Sequence, residues 1–205
     1  MIKIAIIGTE SSGKTTLAAG LSNYFGTDFV QEYAREYLED FYQKQENQKD
    51  SLQKNTIKYS LEDIENIAKK QYQNIENSIG NSVGNNVGNN IGNTKKSSKL
   101  VVADTELIVM KIWSENSFKT VSKWILEHIE KQNFDLYLLT SADDIAWEYD
   151  PLREHEDANE RKRLFECYQN ELEKYKFNYQ IISGKHKEDR LKQAIQSIEK
   201  LLKTY

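Results

Sequence analysis

The sequence predicts a three-layer α/β/α fold around a five-stranded parallel sheet, and three observations carry the prediction. Short apolar runs, of which Ile2–Ile7 is the clearest, read as strands buried on both faces, as in parallel sheets. Between them lie segments whose apolar residues recur every three or four positions, as on one side of a helix. The first run ends in a glycine loop that leads directly into a helical pattern, a strand–loop–helix junction.

Taken in order, residues 2–7 form the first strand and stop at Gly8. Leu17, Ala18, Leu21 and Tyr24 predict a helix from about Lys14. Asp28–Glu32 is a second short strand. Tyr33–Gln45 is a polar helix carrying Tyr33, Tyr37, Phe41 and Tyr42. Ser60 caps the next helix, whose apolar face is Leu61, Ile64, Ala68, Tyr72, Ile75 and Ile79, and which ends near Ser78. Leu100–Ala103 is the third strand, followed by helical stretches near 105–115 and 119–132. Phe134–Thr140 and Asn178–Ser183 are the fourth and fifth strands. The last helix places Leu191, Ala194, Ile195, Ile198, Leu201 and Leu202 on one face. Residues 79–94 read IGNS-VGNN-VGNN-IGNT and hold four of the nine glycines. Gly and Asn favour turns over regular elements, so this stretch is expected to be an insert between the helix and the third strand.

Composition narrows the function. At 205 residues, the chain is expected to be a single domain, with residues 141–163 as a lid. The net charge of −4 disfavours a nucleic-acid partner, whose phosphates call for a basic surplus. The one cysteine, Cys167, rules out an internal disulfide framework, and His128, His155 and His186 have no metal-ligand spacing. No apolar run approaches the ~20 residues of a membrane span, and the expectation is a cytoplasmic chain. Oligomeric state is not legible.

Gly8-Thr9-Glu10-Ser11-Ser12-Gly13-Lys14-Thr15 matches G-x-x-x-x-G-K-[ST] in full, and a buried strand and a helix flank it as the motif requires. Gly8 and Gly13 let the backbone amides approach phosphate oxygens, and the helix N-terminus adds partial positive charge. Lys14 reaches the β- and γ-phosphates, and Thr15 offers a hydroxyl to Mg²⁺. The expected ATP contacts are therefore Gly8, Glu10, Ser11, Ser12, Gly13, Lys14, Thr15 and Thr16.

The loop makes the fold a P-loop NTPase without choosing a reaction. A GTPase is disfavoured: the third strand ends Asp104-Thr105-Glu106-Leu107 without a D-x-x-G glycine, and Thr140-Ser141-Ala142-Asp143 lacks the lysine that packs over guanine. A remodelling motor needs a second helical domain for which this length leaves little room. A small phosphotransferase fits better. Asp104, at the end of an apolar strand, stands where an acid supporting Mg²⁺ belongs, or it caps the following helix. Glu32 lies at the C-terminal edge of the sheet, where open α/β sheets bind ligands, or is a surface acid. Arg153, Arg161, Lys162 and Arg163 fall where a lid would close, or belong to a solvated helix, since acids interleave with them.

The blocks GTESSGKTT, Glu32-Tyr33-Ala34-Arg35-Glu36-Tyr37, Ala103-Asp104-Thr105 and Trp147-Glu148-Tyr149-Asp150-Pro151-Leu152-Arg153 resemble the kinase domain of NadR-type proteins, which phosphorylates nicotinamide riboside with ATP. Ile181-Ile182-Ser183-Gly184 with Arg190 is similar to that family's last strand and adenine-side turn. The resemblance leaves out roughly residues 43–98. It implies a nucleoside-kinase-like sandwich of strand order 2-3-1-4-5, with ATP and Mg²⁺ as cofactors and a small nucleoside as partner. It implies that Glu32 contacts the ribose or accepts the 5′-hydroxyl proton, that Arg35 buttresses the substrate side, and that Asp104 serves metal and substrate. By the same resemblance Trp147 and Asp150 edge the acceptor pocket, with Tyr33 or Tyr149 as further stacking partners. Arg153 and Arg161 face the phosphates, and Arg190 lies at the adenine. The position before Glu32 is often aromatic in the family and is Gln31 here, and no H-x-G-H nucleotidyltransferase signature occurs. The implied reaction is transfer of the ATP γ-phosphoryl to a nucleoside 5′-hydroxyl. A kinase for another small molecule and a non-catalytic ATP-binding sensor are the alternatives.

Overall fold

The computed structural model describes residues 1–48, 58–84, 100–143 and 145–204. Five parallel strands form one sheet in the order β2-β3-β1-β4-β5: β1 (Ile2–Gly8), β2 (Phe29–Val30), β3 (Leu100–Asp104), β4 (Leu136–Thr140) and β5 (Tyr179–Ile182). The helices are α1 (Lys14–Phe25), α2 (Tyr33–Gln48), α3 (Leu61–Gly84), α4 (Leu107–Phe118), α5 (Lys123–Ile129), α6 (Ala158–Lys174) and α7 (Lys187–Leu202).

The period-two geometry of a strand sends alternate residues of each central strand into different layers. Ile2, Ile4 and Ile6 of β1 join Val102 and Leu138 on the side covered by α1 and α7. Ala5 and Ile7 join Val101, Ala103, Tyr137 and Leu139 on the side covered by α2–α6. Buried on both faces, these strands show no polar alternation, which is why each reads as a continuous apolar run.

The edges differ from expectation. β2 is only Phe29–Val30, paired with Val102 and Ala103, so Glu32 stands two residues beyond the strand. β4 begins at Leu136 because Asn133 turns the chain in the left-handed region (φ 48°). The α3 N-terminus is capped as predicted: Asp63 N–H donates to Ser60 Oγ at 3.2 Å and Ser60 N–H donates back to Asp63 Oδ2 at 2.7 Å. The helix does not end near Ser78 but runs to Gly84, so the first residues of the tetrapeptide repeat are helical. Ile79 packs against the core and keeps the helix face going through the start of the repeat. The expectation of an insert survives only for residues 85–94, which lie outside the described residues.

Candidate active site

The strand order reverses at β1, whose neighbours β3 and β4 lie on opposite sides, and ligands of open α/β sheets bind at such a switch point, beyond the carboxyl ends of the strands. The phosphate loop leaves β1 there, with Asp104 at the end of β3 and Thr140 at the end of β4. Gly8 adopts φ 144°, and a side chain there would collide with Thr140 Oγ1 and with its carbonyl oxygen at 2.6 Å. Ser12 Oγ donates to Thr9 O at 2.7 Å and lies 2.7 Å from Thr140 Oγ1, which in turn donates to Ile7 O at 3.0 Å. Gly13 (φ 79°) closes the turn into α1 in the left-handed region glycine tolerates. The ammonium of Lys14 donates to Gly8 O and Thr9 O, both at 3.1 Å, and so curls over the loop.

Thr15 Oγ1 donates to Asp104 Oδ2 at 2.6 Å, while Asp104 Oδ1 is buried without a partner. Asp104 does not cap α4. That cap is Glu106, whose two carboxylate oxygens each accept from Ile108 N–H at 2.9 Å. Burial, and then the charge of Glu32, push the Asp104 carboxyl up to about 6, against the pull of Lys14 and the Thr15 hydroxyl. Mg²⁺ takes oxygen ligands, commonly one or two from protein and the rest from water and phosphates. A hydroxyl and a carboxylate with one oxygen unspent fit that ion.

A cavity of about 830 Å³ opens from the loop. Gly8, Glu10–Thr16, Glu32, Arg35, Arg153 and Arg190 all line it, together with Leu17, Asn23 and Leu191 on the α1–α7 side. Its far wall is Asn116 with the aromatics Tyr42, Tyr59, Trp113 and Tyr168, of which the sequence marked Tyr42 alone, as an aromatic of a polar helix. The expected stacking residues are elsewhere. Tyr33 packs edge-on against Tyr37 at the core, and Tyr149 is 86% exposed. The Trp147 ring lies under the guanidinium groups of Arg161 and Arg153, at 5.4 and 5.9 Å. Asp150 accepts from Arg35 at 2.6 Å, an ion pair joining α2 to the lid. None of these four residues lines the cavity.

Arg190 is buried, and its guanidinium donates to Ser12 O at 2.6 Å and Ser141 O at 2.9 Å. It therefore braces the phosphate loop from behind. Arg153 donates to Ser11 Oγ at 2.7 Å, placing one lid arginine on the loop. Two nitrogens of Arg161, Nε and Nη1, are buried without a partner. The second tie from lid to loop was not foreseen: Glu10 Oε2 accepts from the backbone N–H groups of Glu154 and His155, both at 2.9 Å, and lies 3.3 Å from His155 Nδ1. Burial pushes the Glu10 carboxyl up, but these donors hold it below the usual range; the Glu10 hydrogen bond raises His155. Tyr59 Oη donates to Glu154 Oε2 at 2.8 Å and accepts from Trp113 Nε1 at 2.8 Å, tying the lid to the far wall. Only spatial proximity reveals such contacts, since Glu10 and His155 are 145 positions apart.

A phosphate loop on a five-stranded parallel sheet, with a carboxylate beside its threonine, defines a P-loop nucleotide-binding protein. The family model for AAA domains matches residues 3–190, and the chain belongs to that family. Among the described residues α7 is the element that follows β5. The trifunctional NAD biosynthesis/regulator protein NadR of Escherichia coli (strain K12) is 22% identical over 199 residues, 97% of this chain and 42% of that protein. The chain thus spans less than half the length of that relative. Among solved structures, NadR protein in complex with NR is 20% identical with a TM-score of 0.63, over 97% of this chain and 49% of that one. The deoxyadenosine kinase from M. mycoides with bound dCTP is 14% identical with a TM-score of 0.58, over 97% of this chain and all of that one. Both share the fold. The NadR-type resemblance carried by the sequence blocks is found again in sequence and structure.

Proposed function

We propose that the chain transfers the γ-phosphoryl group of ATP to the 5′-hydroxyl of a nucleoside, with nicotinamide riboside as acceptor. The observation that carries this reading is the lining of the cavity. One space of about 830 Å³ is lined by the phosphate loop, by Glu32 and by the aromatic residues Tyr42, Tyr59, Trp113 and Tyr168. An aromatic wall suits a cationic pyridinium ring, by an attraction of ~0.5–2 kcal/mol. The NadR relatives, one of them solved with NR bound, support the same acceptor.

In this mechanism the loop amides and Lys14 bind the phosphates, and Arg153 and Arg161 offset charge on the transferred group as the lid closes. Thr15 and Asp104 would hold Mg²⁺, which when bound would supply charge neutralisation to the nucleotide phosphates. Glu32 orients the acceptor hydroxyl and takes its proton, with Asp104 as the other carboxylate within the same edge of the sheet. Positioning provides most of the acceleration, since little covalent chemistry falls to the protein.

A second reading, a deoxynucleoside kinase, is favoured by the full-length match to the deoxyadenosine kinase fold and by Gln31, exposed where an aromatic residue is frequent in NadR-type chains. A panel of acceptors with ATP and Mg²⁺ decides: nicotinamide riboside, nicotinic acid riboside, uridine, cytidine, deoxynucleosides and nucleoside monophosphates. Nicotinamide riboside is expected to be turned over fastest. Fastest turnover of a deoxynucleoside would select the second reading. ATP binding without transfer to any acceptor would leave a nucleotide-binding sensor. Lys14→Ala is the control and should abolish transfer while leaving the fold intact.

A further inference from the structure

We propose that Gln71 is the positioning residue that holds Glu32 and Asp104 together, its side-chain amide standing in for a missing peptide unit between the ends of β2 and β3. The proposal rests on the phosphoryl-transfer reading for its kinetic arm and on geometry alone for its metal-binding arm.

Gln71 lies on the inner side of α3 and is completely buried. Strand pairing between β2 and β3 stops at Val30 and Ala103. Beyond that pair, Gln71 Oε1 accepts from Tyr33 N–H at 2.9 Å, three residues past Val30, and Gln71 Nε2 donates to Asp104 O at 3.2 Å and Thr105 O at 3.0 Å. One side accepts from an N–H and the other donates to two carbonyls, so the amide has a single satisfiable orientation. The side chain thereby bridges the residue after Glu32 to Asp104 itself and to its successor.

The bridge has work to do there. Thr105 is held at φ 76°, a left-handed conformation that costs a β-branched residue energy and persists only when its surroundings impose it. Its N–H donates to Ile6 O at 3.1 Å and its carbonyl accepts from Gln71, so β1 and α3 grip it from both ends. Glu32 and Asp104 carry like charge, and their repulsion contributes to the upward push on Asp104. Neither carboxylate receives a hydrogen bond from Gln71. The residue acts on them through the backbone, fixing the separation of the two strand ends against that repulsion. A buried amide that only filled space would be replaced at little cost by an apolar side chain of the same shape.

The test uses the full chain with Gln71→Met, nearly isosteric and without the amide, and Ile75→Val, a core change one turn along α3 as comparator. Mn²⁺ binding to the protein–AMP-PNP complex is followed by electron paramagnetic resonance, and kcat and KM are measured with ATP and nicotinamide riboside. Gln71→Met is expected to weaken Mn²⁺ binding about tenfold or more, in the range seen when supporting residues of metal sites are removed. Metal-free AMP-PNP affinity should stay within about twofold, and kcat should fall with KM for ATP nearly unchanged, a loss confined to the transition state. Ile75→Val should move the melting temperature and none of these readings. Wild-type Mn²⁺ affinity in Gln71→Met would overturn the proposal, as would losses in both variants proportional to melting temperature. If Gln71→Met does not fold, Gln71→Glu keeps the acceptor for Tyr33 N–H but sets a carboxylate against two carbonyls. Unchanged Mn²⁺ affinity in that variant would overturn the proposal equally. If the wild type phosphorylates no acceptor, the proposed reaction fails, while the Mn²⁺ titration still decides the role of Gln71.

Discussion

Thr15 and Asp104 meet at 2.6 Å although 89 positions separate them, and the meeting leaves Asp104 Oδ1 buried and unspent. Glu32, two residues beyond β2, lines the same cavity as Thr15. Under the proposed reaction the two carboxylates separate by role. Glu32→Gln keeps the shape, removes the proton acceptor, and should lower kcat by roughly 10²–10⁴, the usual worth of a general base. Its Mg²⁺ requirement should match the wild type. Asp104→Asn should instead shift the Mg²⁺ titration of activity to higher concentration. Overlapping Mg²⁺ titrations for the two variants would remove the distinction. Arg190 also has a role its sequence position did not suggest. Arg190→Lys retains charge but cannot span Ser12 O and Ser141 O, so the loop should loosen and ATP affinity fall.

Among the segments, the one expected to be a lid is the one whose position the structure explains in detail. It is attached to the phosphate loop by Glu10 and Arg153, to the far wall by the Glu154–Tyr59 hydrogen bond, and to α2 by Asp150–Arg35. His155 is the titratable member. Protonated, it pairs with Glu10, and Glu154 and Glu160 add to its positive preference; Asn116 Nδ2 lies 2.9 Å from Nε2 on its other side. Its value is raised, so its ion-pair contribution is complete below about 6.5 and is lost as pH climbs through the higher folded value. Denaturant melts of wild type and His155→Gln should differ by about 1 kcal/mol at pH 6 and by less at pH 8. A difference that grows with pH would contradict the assignment. α3 offers the complementary case, in which packing prevails over composition. Gly and Asn disfavour a helix, yet the helix continues to Gly84, beyond the point where composition alone ends it.

For the whole molecule, a ligand that binds only the folded chain stabilises it by about 2.7 kcal/mol at 100 times its dissociation constant. AMP-PNP with Mg²⁺ should then raise the melting temperature by roughly 5–10 °C for a chain of this size. Lys14→Ala should show little of that rise, and an equal rise in the variant would refute the loop assignment. The fold was legible in the sequence because each central strand is buried on both faces and so is apolar throughout, and because the loop motif needs residues contiguous along the chain. Glycines that must be glycine and a lysine at fixed spacing are local requirements, and a linear pattern records them. The strand ends, the aromatic wall of the cavity and the ties of Glu10 and Arg153 were not legible in this way. β2 stops at Val30, and a buried glutamine from α3 bonds Tyr33 N–H and Asp104 O beyond it; Tyr59, Trp113 and Tyr168 become neighbours of one cavity only when three separate segments pack. Aromatic residues at helical spacing look alike whether they face a core or a chamber. The sequence by itself determined the nucleotide-binding half, since phosphate is gripped by one loop and the helix after it. The tertiary structure alone decided which aromatic residues line the rest of the cavity, because they come from segments whose separation along the chain carries no local signature.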